Sequence, residues 1–501
     1  MHHRELFQSC ITHQVIICWL ILAVASLIPM GLRSAATADE NAPTPFFACG
    51  VKAGQINQTS ATIWVRLTAE KEAQFDRLSI FSDGLPSNAK DKIRMLPDIV
   101  PGAEGLAKVK YWIEGQPDSN RATPWQAVSP KTDYTHQFKL DELTPGVTYQ
   151  YEVSAKHNGK ASDNKQSDSA ATISAIGRFR TAPSADQSVP VQFVVSTCQA
   201  IRSIDSGKQG HRAYRQMLAA APDFFVHTGD ILYYDKAPIA NNKQLARAKW
   251  NLMFAYGYNQ KFHQNVGSYF LKDDHDTLKN DCWPGQRYGE LTFEQGKQIF
   301  REQVPVGDKP YSTVRWGRDL QIWMTENRDF RSPNSMPDGP EKTILGAEQK
   351  SWLKKSLTAS DATFKFVISP GPIVGPDKPG QNDNQSNPGF NSEGLELRKF
   401  LATQKNTYVI CGDRHWQYCS QDPATSVIEL GCGPVNDEHD FGGNSGRHKK
   451  FHRYFSGKGG FLLIKVNAKA AVANWHHAND PNWQPGQLPQ LLHNEHFPAV
   501  Q

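Results

Sequence analysis

Cysteine is scarce in this sequence, eight in 501 residues, and no pair stands in the Cys-x-x-Cys spacing of a zinc site. A scaffold built on disulfides is excluded by length, since a chain this long buries a core without staples. No apolar run reaches the roughly 20 residues that a membrane span needs. The longest, Val15 to Met30, falls short. Strong charge of either sign is also missing: 55 basic and 50 acidic side chains give a net +5. That balance is too mild to imply specific nucleic-acid binding or a membrane surface as partner. Neither an internal repeat nor a low-complexity array is present, so no repeat architecture is expected.

What is present begins with an export signal. Arg4 lies in a short polar start, the apolar run follows, and Ala36-Thr37-Ala38 makes a small-x-small cleavage pattern. Residues 1–38 are expected to be removed, leaving a periplasmic or extracellular protein with no stable membrane anchor. No twin arginine precedes the run and no cysteine follows it where a lipoprotein would be cut, which favours general secretion. Cleavage removes Arg4, Arg33 and Glu5 and leaves a net charge of about +4. Cys49, Cys198, Cys282, Cys411, Cys419 and Cys432 survive it, and pairing among them stays open.

The length predicts two domains. Residues 44–183 read as short alternating segments between turns, among them SATIWVRLT (60–68) and LTPGVTYQYEV (143–153), the pattern of an all-β sandwich of Fn3/Ig type. This domain carries no acid cluster or histidine pair, so it is read as structural. From 190 to 475 apolar runs alternate with helical stretches: VQFVV, a helix near His211 to Ala220, DFFVH, LQIWM, a helix near Ala347 to Leu357, FKFVI, YVIC and FLLIKV. Such alternation predicts α/β layers around a central sheet. The stretches 376–392 and 433–460, rich in Gly, Asn, Asp and Pro, read as long surface loops, some bordering the site. Residues 476–501 read as a tail wrapping the surface.

The chemistry lies where polar residues meet those runs. Cys198 follows VQFVVST, Asp230 follows FFVHTG, and Asp413 with His415 follows YVICG, each just past the carboxyl end of an apolar run. Open α/β sheets bind ligands at that edge. The stretch DDHDTLKND (273–281) adds a fourth contribution, with four aspartates, a histidine and an asparagine in nine positions. Carboxylates crowd together only when cations neutralise them or when they take up protons. The pattern therefore points to a metal centre.

The series STCQ (196–199), HTGDILYY (227–234), DDHDTLKND, ENRDFRS (326–332) and CGDRHW (411–416), behind a β-domain ending in GRFRTAP, resembles the alkaline phosphatase D (PhoD-like) family. That family belongs to the calcineurin-like metallophosphoesterases related to purple acid phosphatases. The resemblance covers Phe46 to about Trp475 and implies a four-layer α/β sandwich behind the N-terminal β-domain. It implies that Cys198, Asp230 and Tyr233 bind a ferric ion, with Asp230 bridging to neighbouring metals. Asp274 stands for the asparagine ligand of related enzymes, and His275 for the histidine that aids the phosphoryl group. Asn280 matches an asparagine near calcium, Asp413 and His415 match the closing Gly-Asp-x-His, and Arg328 and Arg331 match an Arg-x-x-Arg segment beside the site.

Related two-metal enzymes open with Asp-x-His and close with Gly-His-x-His. Here thiolate, phenolate and carboxylate replace imidazoles, a donor set that suits Fe3+ and Ca2+ and disfavours zinc. Glu326 departs from the family's usual aspartate, and Lys279 brings a cation that either points away or meets substrate phosphate.

The implied reaction is hydrolysis of a phosphate mono- or diester, with a metal-held hydroxide attacking phosphorus in line. His275 would stabilise the transition state or protonate the leaving oxygen, and the arginines would grip phosphate or form a structural ion pair. Two other readings stay open: a non-catalytic secreted binding protein on a degenerate phosphoesterase domain, and a calcium-stabilised glycosidase using two of the carboxylates.

Overall fold

The apolar runs of the second half form two sheets packed face to face. In the computed structural model, residues 44–78, 97–158, 172–377, 380–439 and 450–500 are described. The leader expected over residues 1–38 lies outside them, as do 378–379 and 440–449 of the two long loops. Among the described residues no helix is long and apolar enough to cross a membrane.

One sheet has nine strands, with Val191–Ser196, Phe224–His227 and Ser268–Phe270 at its centre. The other has seven and includes Leu320–Met324, Phe364–Ser369 and Thr407–Cys411, mutually parallel. Alternate side chains explain why these runs read as continuously apolar. Phe193, Val195, Phe224, Phe366 and Ile410 face the space between the sheets, where Phe193 meets Phe366 edge-on at 5.9 Å. Val194 and Phe225 turn outward against helices Arg212–Ala219 and Gly257–Asn265. On the far side, Trp323, Val367 and Val409 pack under helices Gly346–Thr358 and Asn391–Ala402. Helix, sheet, sheet and helix make the four layers, and strands buried on both faces lose the polar alternation of a half-exposed sheet.

The N-terminal β-sandwich does not stand apart from this. One of its sheets holds five strands, including Gly105–Ile113, Thr148–Lys156 and Ile173–Arg180. The other, Val51–Gly54, Ala61–Arg66 and Thr135–Leu140, continues the nine-stranded sheet, because Gly54 pairs in parallel with Ser268. The chain beyond Trp475 re-enters the sheet as well as crossing the surface: Ala470–His477 continues past that point, and Leu491–Pro498 pairs with it as the edge strand. All six described cysteines are buried and free.

Gly54 marks the seam between the two halves. A Cβ there would stand 2.4 Å from Pro305 Cγ and 2.5 Å from the Ser268 carbonyl oxygen. Gly54→Ala is expected to lower stability by about 1–3 kcal/mol through overpacking, read as a lower urea-unfolding midpoint. An unchanged midpoint would mean that the seam yields freely.

Candidate metal centre

Three strands of the two facing sheets end side by side, and at each end the backbone takes a conformation that side chains rarely adopt. Cys198, Asp230 and Asp413 have φ of 46°, 55° and 63°, a left-handed geometry that costs a non-glycine residue on the order of 1–3 kcal/mol. The glycine before each aspartate is dictated by crowding. A Cβ on Gly229 would lie 2.7 Å from Asp273 Cβ, and one on Gly412 would lie 2.4 Å from Thr228 Oγ1 and 2.5 Å from Thr197 Oγ1. The loops are tied together: Gln199 N donates to the Asp230 carbonyl at 2.9 Å, and Asp413 N to Thr197 Oγ1 at 3.4 Å.

Asp230 is the common member of three groups whose ligand atoms lie within 4.8 Å of one another: Cys198, Asp230 and His415; Asp230, Asp274 and His275; Asp230, Asp273 and Asp413. Its Oδ2 accepts from the Tyr233 hydroxyl at 3.0 Å and lies 3.4 Å from Cys198 Sγ. Its Oδ1 is buried without a hydrogen-bond partner, as is Oδ2 of Asp273. Tyr233 also lies 3.3 Å from His415 Nε2. The loop carrying it is held by Lys249, whose Nζ donates to the carbonyls of Tyr233, Lys236 (2.8 Å) and Pro238 (2.6 Å).

The electrostatics match this crowding. Burial, opposed by His275 and reinforced by the neighbouring acids, pushes the Asp230 carboxyl far above its usual range. Burial followed by Asp230 does the same to the Cys198 thiol and the Tyr233 phenol, and burial outweighs Arg414 at Asp413. At Asp274 burial is overcome by Arg328, His275 and two backbone amides, and the carboxyl is held below its usual range. His275 is opposed by burial, yet Asp274, Asp230 and Asp235 raise it to about 10.

The structure brings together Cys198, Asp230, Tyr233, Asp413 and His415, with Asp274 and His275 adjoining through Asp230. All of them except Cys198, which lies beneath, line a cavity of about 170 Å3. Asn280 sits at its exposed lip, its backbone N–H donating to Asp235 Oδ2 at 2.9 Å. Arg328 and Arg331, read from the sequence as gripping phosphate or, for one of them, as forming a structural ion pair, do not line it. Arg328 is buried behind the acids, 2.5 Å from Asp273 Oδ1 and 3.8 Å from Asp274 Oδ2. Arg331 donates to Asn334 and covers the Phe390 ring at 4.7 Å. Lys279 is likewise absent from the lining. Glu326 pairs with Lys272 and accepts Asp329 N at 2.6 Å, a structural role for the departing residue.

Sequence reasoning passed over Asp273, which joins Asp230 and Asp413 although the neighbouring Asp274 carries the motif match. It also passed over Asp235, Arg414, Asp383 and His439. Asp235 Oδ1 holds His275 Nδ1 at 2.6 Å. Arg414 binds Asp413 and fastens the 376–392 loop through Asp377 and Asp383. Asp273 opens the motif DDHDTLKND and Asp235 directly follows HTGDILYY, so both were legible by position; His439 has no local pattern around it.

Orphaned carboxylate oxygens facing a thiol, a phenol and imidazoles in one buried cluster fit cations rather than an empty hydrogen-bond network. A helix-sheet-sheet-helix sandwich with such a cluster at its strand ends is the architecture of a metallophosphoesterase. Comparison with known proteins makes this specific. The chain belongs to the PhoD-like phosphatase family, whose model matches residues 193–458, while the model of that family's N-terminal domain matches residues 33–183.

Tartrate-resistant acid phosphatase type 5 of Homo sapiens is 23% identical over 55% of this chain and 81% of its own length. Alkaline phosphatase D of Bacillus subtilis (strain 168) is 21% identical over 75% of this chain and 65% of its own. A solved structure of PhoD matches with a TM-score of 0.68 at 16% identity, covering 88% of each chain. Purple acid phosphatase PPD1 of yellow lupin matches with a TM-score of 0.58 at 12% identity, covering 89% of this chain and 74% of that one. These two structural likenesses speak to fold, and the family match makes the protein a phosphoric ester hydrolase.

A carboxyl whose pKa is raised on folding holds its proton more tightly in the folded state, so its contribution is largest at low pH and is lost as pH rises. For Asp230, Asp273 and Asp413 that loss begins near 3.8, and for the adjoining Asp276 it extends to about 7. Cations remove it by neutralising the ionised acids. The gap in Tm between the metal-loaded and EGTA-stripped protein is therefore expected to widen from pH 4 to pH 7. Groups remote from the centre contribute equally to both forms and cancel. A gap independent of pH would contradict the cluster's role.

Proposed function

We propose that this protein is a secreted, metal-dependent phosphoesterase that hydrolyses phosphate mono- or diesters, with Fe3+ and Ca2+ at the centre built on Asp230. The observation that carries this reading is Asp230 itself, common to three ligand groups and buried with an unpaired oxygen. Cys198, Tyr233 and Asp230 would hold the ferric ion, with His415 adjoining. Asp230, Asp273, Asp274, Asp413 and Asn280 would serve calcium, whose preference is for oxygen ligands. Zinc is disfavoured by the same donor chemistry. Export rests on the leader read in residues 1–38.

When bound, the cations supply positive charge to the phosphoryl oxygens and acidify a nucleophilic water. The chain's own residues supply the rest. His275 lines the cavity, and Asp235 fixes its ring through Nδ1, which leaves Nε2 to protonate the leaving oxygen. Asp235, paired with Nδ1 and assigned to no cation, favours the charged imidazole that a general acid requires. Arg328 holds Asp273 and faces Asp274, and so positions ligands rather than substrate. Arg414 aligns Asp413 and closes one wall of the cavity by retaining the loop with Asp383.

Asp230→Asn is expected to lose bound metal and turnover together. His275→Asn is expected to keep its metal while turnover falls by about 10²–10⁴-fold, the usual weight of a general acid. Elemental analysis, with release of phosphate from mono- and diesters before and after EGTA, checks both. Iron with calcium and chelator-sensitive hydrolysis support the reading. Zinc alone, or an Asp230→Asn protein with full turnover, would overturn it.

A further inference from the structure

His439 closes the short turn Asp437–His439 and is buried, with 3% of its surface exposed. The turn is braced on both sides: Asp437 accepts from Gly459 N at 2.9 Å and from His477 Nε2 at 2.9 Å, and Asn436 Nδ2 donates to the Ser203 carbonyl at 2.5 Å. From this footing Nε2 of His439 reaches to 2.8 Å from the Tyr233 hydroxyl oxygen. That is closer than either Asp230 Oδ2 at 3.0 Å or His415 Nε2 at 3.3 Å. The His439 ring packs 4.3 Å from His415 and 4.9 Å from Tyr233, centroid to centroid.

Proton inventory gives this contact one direction when Asp230 is ionised. A phenol has one hydrogen to donate, and that of Tyr233 goes to Asp230 Oδ2. With the His439 hydrogen on Nε2, that nitrogen donates to the phenol oxygen at 2.8 Å. When Tyr233 gives up its proton to become a ligand, the phenolate only accepts, and Nε2–H is placed to donate to it.

Resting on the ferric reading above, we propose that His439 is a positioning residue whose Nε2–H donates to the Tyr233 phenolate, fixing its orientation and drawing charge from it. Hydrogen bonds from outside the ligand set orient ligands and tune the metal they hold. A donor on the phenolate oxygen lowers its filled orbitals and raises the energy of phenolate-to-iron charge transfer. Losing the donor moves that absorption to longer wavelength.

The test uses the full chain loaded with iron, comparing the visible absorption and iron content of the wild type, His439→Phe and His439→Gln. His439→Phe is expected to retain iron with its band at longer wavelength, and His439→Gln, which restores an N–H, to return toward the wild-type position. A band at the wild-type position in an iron-loaded His439→Phe protein would overturn the proposal. Should that variant not fold, the wild type decides alone: its resonance-Raman phenolate modes shift in D2O if an exchangeable N–H donates, and stay put if none does. A wild-type protein that binds iron with no charge-transfer band overturns the ferric tyrosinate itself, an outcome distinct from an unshifted band.

Discussion

Two ionised carboxylates about 4 Å apart repel by roughly 4 kcal/mol at the effective dielectric of a protein site, and this chain gathers Asp273, Asp274 and Asp413 about Asp230 in one buried cluster. Several such terms together rival the roughly 5–15 kcal/mol that separates a folded domain from its unfolded chain. The cluster therefore persists only with its acids protonated or with positive charge among them. Arg328 and Arg414 supply part of it, each buried against an acid of the centre. They do not reach the unpaired oxygens of Asp230 and Asp273. That residue of uncompensated acceptors is what cations complete, and the rest of the architecture serves to hold them there.

Holding them takes rigid support. The ligands leave strands buried on both faces, and three of them sit in left-handed backbone geometry, two beside glycines that admit no side chain. Strain of this kind survives only where surrounding contacts over-determine it. Lys249 beneath the Tyr233 loop, the backbone bonds between the Cys198 and Asp230 loops, and the Asp437 brace under His439 are such contacts. The N-terminal sandwich adds to this by continuing the sheet through Gly54, so the strand that leads into Asp273 is not at an edge.

Much of this was legible from the order of residues. An apolar run followed by Gly-Asp or Thr-Cys marks a strand end, and three such ends in the sequence point at Cys198, Asp230 and Asp413. The helix expected near His211 to Ala220 is Arg212–Ala219, and that expected near Ala347 to Leu357 is Gly346–Thr358. What escaped is non-local. The joined sheet depends on a parallel pairing between Val51–Gly54 and Ser268–Phe270, which no turn between them announces. His439 arrives from a loop whose composition says only that it is a loop. Arg328 and Arg331 carry the right charge for phosphate, but their burial and their partners turn them away from the cavity, and a side chain's direction is not written in a motif.

Cations bound around Asp230 are what relieve the repulsion of the acids gathered there. The most direct measurement is a crystal structure of the purified protein with anomalous data collected across the iron edge. An iron peak is expected within bonding distance of Cys198 Sγ, Tyr233 Oη and Asp230, with further cation density between Asp230, Asp273 and Asp413. Density for water alone at that position, in a protein that hydrolyses phosphate esters, would contradict it.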